Sequence, residues 1–177
     1  MSAQLDRVLE PRVLAAREWR FQAETPLSEW PRLAALDSAA AEGGGTVRLD
    51  VGFRENEAGK PVLEGELGLA LGMVCQRCLE PVTMAVRARP KLVFAAAEQI
   101  GEAASEAGFE ACEPEPGTTL RQLLEDEVLL ALPVFPAHAS REECGALAGK
   151  LAQLEPAQGG KSVSSPFAVL ADMKRKN

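Results

Sequence analysis

Apolar and polar positions alternate through the middle of the chain. Val47, Leu49, Val51 and Phe53 alternate with Arg48, Asp50 and Gly52, the period-two pattern of a half-buried strand. The run ENEAGK follows as a turn. Leu63, Leu67, Leu69, Leu71 and Met73 then share one parity while Glu64 and Glu66 take the other, predicting a strand of about ten residues. Val82, Met84 and Val86 alternate with Thr83, Ala85 and Arg87 in a further strand, and Lys91 to Ala97 extend the sheet after Pro90. Residues 47–97 therefore read as an antiparallel meander, with Cys75-Gln76-Arg77-Cys78 as a turn between two of its strands. Nearer the N-terminus, Trp19, Phe21 and Ala23 supply the apolar side of a short strand. Ser28 is placed to cap a helix carrying Trp30, Leu33, Ala34 and Leu36, with Pro31 in its first turn and Gly43–Gly45 ending it.

Later in the chain the period changes. In TTLRQLLEDEVLLALP, Leu120, Leu123, Leu124, Val128, Ala131 and Leu132 line one helical face. Thr119 with Gln122 makes a capping box, and Pro133 closes the segment. Glu125, Asp126 and Glu127 are consecutive, so they fan around this helix as a solvated face. A short helix at 165–176 is capped by Ser165, starts at Pro166 and ends in Lys174, Arg175 and Lys176. Between sheet and main helix, residues 98–117 hold six Glu and no Lys or Arg and read as a mobile acidic loop. Strands precede the main helix instead of alternating with it. The expected class is α+β: one domain over 1–177, an antiparallel meander with helices packed on it.

The charge balance bears on partners. Nineteen Lys and Arg against twenty-six Asp and Glu give a net charge of −7, the wrong sign for a chain that grips nucleic acid through general phosphate attraction. Such a chain attracts basic partners instead. Arg77, at the tip of the cysteine turn, and Arg87, Arg89 and Lys91, of one parity, form a local cationic stripe that could touch RNA phosphates. Solvent-facing strand residues have the same pattern. No apolar run reaches the ~20 residues of a membrane helix, and the N-terminal residues lack an export signal core. Four cysteines are too few for a disulfide scaffold, so the expected setting is a reducing cytoplasm.

The cysteine pair is the main chemical candidate. Two thiolates two residues apart in a tight turn can face one metal ion, and a tetrahedral site needs two more ligands. His138 and Cys144 lie six residues apart, just past the leucine-rich helix. If that helix folds back on the sheet, Cys75, Cys78, His138 and Cys144 make a Cys₃His site for a structural zinc ion. Cys112, in the acidic segment, is the poorest ligand candidate. Ordinary reduced thiols beside an unrelated histidine are the plain alternative. A thiol-disulfide oxidoreductase is another, but its CxxC opens a helix after a strand, whereas Glu80-Pro81 and an alternating strand follow here. A hydrolase using His138, the one histidine, lacks a nucleophile elbow.

Three stretches together carry a family resemblance: VCQRCLEPV (74–82), LEDEVLLALPVFPAHASREEC (124–144) and SPFAVLADMKRK (165–176). The chain resembles the YceD family of large ribosomal RNA subunit accumulation proteins. The resemblance implies a non-enzymatic cytoplasmic protein that promotes accumulation of 23S ribosomal RNA. The implied partners are a large-subunit ribosomal protein, a 23S rRNA precursor or both, with no membrane and no small-molecule substrate. It touches Cys75, Cys78, His138 and Cys144, whereas Cys112 matches none of the family's motifs.

Overall fold

A computed structural model describes residues 2–37, 45–96, 98, 108–145 and 150. The expected helix at 165–176 and residues 99–107 of the acidic segment lie outside these residues. The chain divides into two compact units, Met1–His138 and Ala139–Asn177. The first is built on a six-stranded sheet: β1 (Arg20–Pro26), β2 (Thr46–Glu55), β3 (Pro61–Val74), β4 (Pro81–Ala88), β5 (Lys91–Phe94) and β6 (Glu110–Cys112). The α+β class is present, and β2, β3 and β4 pair antiparallel in sequence order as the meander requires, whereas β5 returns to β3 instead of pairing with β4. β1 to β3 pair antiparallel in sequence order. β4 and β5 pair in succession along the other side of β3, opposite Leu67–Val74 and Val62–Glu64 respectively. Pro90, which has no N–H to donate, marks the break between them.

Alternation puts Val47, Leu49, Val51 and Phe53 on the buried face of β2, with Leu63, Leu67, Leu69 and Leu71 beside them on β3. Leu5, Leu9, Trp30, Leu33, Leu120, Leu123, Leu124 and Val128 belong to the same core. The last four helical residues named come from α3 (Leu120–Leu130), whose Thr119–Gln122 capping box is formed in both directions. Ala131 is the C-cap of α3 and is exposed instead of lying on its core face. No helix among the described residues is long and apolar enough to cross a membrane.

Four details differ from the sequence reading. A six-residue helix, α1 (Pro11–Ala16), precedes β1. The next helix, α2 (Pro31–Leu36), starts after Trp30 and not at Ser28, which lies in a 3₁₀ turn, Leu27–Glu29. Its first-turn N–H groups, of Arg32 and Leu33, donate to the Glu125 carboxylate at 3.0 and 3.5 Å. Glu125 is therefore buried, a cap supplied from another helix, while Asp126 reaches the Arg32 guanidinium. Finally, part of the acidic segment is a strand. β6 pairs parallel with β5, and Phe109 and Ala111 pack on Val62 and Val93 across the sheet from the main core.

A second polar connection binds the N-terminal segment to α3. Buried Arg121 donates to both Asp6 oxygens at 2.7 and 3.2 Å and lies 5.2 Å over the Trp30 ring. The Arg121 hydrogen bond holds the Asp6 carboxyl below its ordinary value. The Trp30 indole N–H donates to Thr25 Oγ1 at 2.8 Å.

Candidate metal centre

The Cys75–Cys78 turn joins β3 to β4, as its position between two alternating runs requires. It is closed by its own backbone: Cys75 N–H donates to Glu80 O and Leu79 N–H to Cys75 O, both at 2.9 Å. Leu79, the residue after the second thiol, takes φ +61°, the left-handed region that favours glycine. Both sulfurs point inward, and both cysteines are buried.

The two residues between the thiols engage the segment beyond α3. Gln76 N–H donates to Pro136 O at 2.8 Å, and the Arg77 guanidinium donates to His138 O. These bonds bring the imidazole to the turn, where His138 Nδ1 lies 3.5 Å from Cys78 Sγ. In a tetrahedral zinc site with Zn–S about 2.3 Å and Zn–N about 2.05 Å, a sulfur and a nitrogen ligand sit roughly 3.5 Å apart. The donor atoms of Cys75, Cys78 and His138 all lie within 4.8 Å of one another. Burial alone would push the Cys75 thiol up. The backbone N–H groups of Cys78, His138 and Arg77, with the Cys78 side chain, outweigh it and lower it from 9.0 to about 5. A sulfur held as thiolate is what a cation requires.

Cys144 belongs to the second unit, at the end of a 3₁₀ turn (Glu142–Cys144). It is buried, and its Sγ is 3.8 Å from Ser140 O. Within the first unit, Cys75, Cys78 and His138 offer two thiols and one imidazole, donors that could hold a metal ion and suit zinc. Cys112 stands on β6, where burial and the charges of Glu127 and Asp126 raise its thiol. None of the four cysteines is joined in a disulfide.

The redox reading fits this geometry poorly despite the low Cys75 value. A disulfide-exchange cysteine needs an accessible sulfur, usually at a helix N-terminus. Here both sulfurs are enclosed, and β4 follows the turn.

The cationic residues separate into two places. Arg77 is partly buried and engaged by the His138 carbonyl. Arg87 on β4, Arg89 just after it and Lys91 at the start of β5 are exposed, with Arg89 paired to Glu66 at 3.3 Å and Lys91 in register opposite Glu64. Nearby, a shallow trough of about 880 Å³ crosses the exposed face of the sheet. Gly68, Ala70 and Ala85 line it together with Arg48, Asp50 and Arg87.

Sequence reasoning missed the positioning role of Gln76 and Pro136, because both act through backbone groups that carry no residue signature. It also missed Leu79, where only the absence of a glycine after Cys78 gave a signal.

No solved structure matches the chain. The family model described as large ribosomal RNA subunit accumulation protein YceD matches residues 63–174, which include the cysteine turn, α3, His138 and Cys144. That match spans well over half of the chain, so the protein belongs to the YceD family.

Proposed function

We propose that this protein is a non-enzymatic factor for assembly of the large ribosomal subunit. It acts in the cytoplasm and promotes accumulation of 23S rRNA by binding a basic large-subunit ribosomal protein or an rRNA precursor. The observation that carries the reading is the family match over 63–174, and the closeness of the turn's two thiols to the His138 imidazole within that stretch supports it. In this reading Cys75, Cys78, His138 and Cys144 hold one structural zinc ion. Its work is mechanical: it fastens the β3–β4 turn to the chain beyond α3. The net charge of −7 directs the protein toward basic partners, with the acidic segment 98–117 attracting them. Arg87, Arg89 and Lys91 touch nearby RNA phosphates, and Arg77 supports the turn from which they lead away.

The test is a tagged pull-down from growing cells, with co-purified proteins and RNA identified. Large-subunit ribosomal proteins or 23S precursors are expected. Their absence, with normal 23S rRNA levels in cells lacking the protein, overturns the reading. Metal content of the same preparation is expected to be one zinc per chain. Replacing Arg87, Arg89 and Lys91 together by Ala is expected to reduce the co-purified RNA and leave the zinc in place.

A further inference from the structure

The four most exposed large apolar side chains among the described residues lie on the cysteine turn and on the chain from the end of α3 to Phe135. Val134 is 84% exposed, Leu130 and Phe135 77% each, and Leu79 72%. Leu130 ends α3, and Val134 and Phe135 come four and five residues after it. Leu79 lies on the cysteine turn, and the Gln76–Pro136 hydrogen bond joins that turn to the chain one residue beyond Phe135. The four thus stand on adjoining stretches of one unit. Apolar side chains scattered singly over a surface need no explanation, but a cluster of this kind marks an interaction site.

Leu79 adds a second argument. At φ +61° glycine would be unstrained, and a leucine there is disfavoured by contact of its Cβ with the backbone. Leucine usually repays such a cost by burial, and this one stands in solvent.

The charge beside the cluster identifies the chemistry of what covers it. Glu127 is one helical turn before Leu130. Burial and the negative charges of Glu110 and Asp126 make Glu127 hold its proton more tightly than usual, so these carboxylates crowd one another. Asp126 is engaged by Arg32, whereas none of the ion pairs among the described residues includes Glu110 or Glu127. A cation brought there relieves the repulsion.

We propose that Leu79, Leu130, Val134 and Phe135, with Glu110 and Glu127 alongside, form a docking surface for a cationic peptide segment bearing large apolar side chains. The inference rests on the assembly reading above and deepens it, by giving the face and the chemistry through which a basic protein partner is held. The metal centre then sets the shape of the surface, because its turn carries Leu79 and its backbone bonds fix the stretch after Phe135.

The test uses the full zinc-loaded chain and a fluorescent synthetic peptide of alternating arginine and leucine, read by anisotropy. Two control peptides replace leucine by serine or arginine by glutamate, and each is expected to bind at least about tenfold more weakly. The variant with Leu130→Gln and Phe135→Ser is expected to lose about tenfold or more in affinity at an unchanged melting temperature, since both side chains are exposed. Leu79→Gly is expected to weaken binding while melting no lower than the parent. Glu110→Gln with Glu127→Gln is expected to weaken binding and flatten its salt dependence. Equal binding of the arginine–serine peptide, or an unchanged affinity in the Leu130/Phe135 variant, overturns the proposal. So does a single-stranded RNA that binds in place of the peptide and is lost in that same variant. If the surface fails while ribosomal precursors still co-purify with the chain, only this inference falls. If the precursors fail to co-purify, the assembly reading falls.

Discussion

Removing the metal should loosen the fold by an amount that follows from the loop it closes. His138 stands 60 residues after Cys78, and no covalent bond other than the chain itself connects them. An ion bound to both closes that loop in the folded and partly unfolded chain alike. The chain-entropy relation for a cross-link, about 2.1 + 1.5R ln n cal/mol/K, gives roughly 4 kcal/mol for a loop of this length. Urea unfolding should therefore show a loss of about 4 kcal/mol on chelation and a similar loss for His138→Ala in zinc. The decisive measurement is the combination of the two. If His138 is a ligand, chelating the His138→Ala variant adds almost nothing, because the interaction is already gone. Cys112→Ser, outside the donor set, should cost less than about 1 kcal/mol and keep its full response to chelator. A His138→Ala loss that simply adds to the chelation loss, or a stability indifferent to chelator, would refute the metal centre.

Two further predictions concern what holds the sheet and helices in place. Glu125→Ala removes the acceptor for the Arg32 and Leu33 N–H groups and should cost about 3–5 kcal/mol in urea unfolding. Glu125→Gln keeps an acceptor oxygen and should cost about half as much; equal costs for the two would show that charge, and not capping, is what matters. Gly65→Ala should lower the melting temperature strongly, because a Cβ there would lie 2.3 Å from Asp50 O and 2.7 Å from Val51 Cα, both backbone atoms. A neutral Gly65→Ala would mean that β2 and β3 can separate locally at little cost.

What was legible in the sequence was whatever depends on neighbours in the chain. Val47 to Phe53 and Leu63 to Met73 announce strands because a half-buried sheet enforces period two, and both are present. The capping box at Thr119 is equally local, and so is the pairing of Cys75 with Cys78. Glu125 was hidden because its partners are backbone N–H groups 92 and 93 residues upstream, and a backbone group leaves no mark in a sequence. β6 was hidden because three residues are too few to show a period, and the glutamates around it imitate a solvated loop.

The metal centre combines both cases. Its thiols are local, but the approach of His138 is set by residues 76 and 77, whose polar groups hold the carbonyls of Pro136 and His138. Each such hydrogen bond contributes only about 1 kcal/mol net. They suffice to orient an imidazole that the fold has already brought near, and are too weak to hold a 60-residue loop closed by themselves. In the zinc-bound chain of this proposal, placement would fall to the hydrogen bonds and permanence to the ion. It follows that Gln76, which acts through its backbone N–H, should tolerate any side chain that preserves the turn. Arg77, which acts through its guanidinium, should not tolerate Ala without a weaker hold on zinc, even though neither residue ligates the ion.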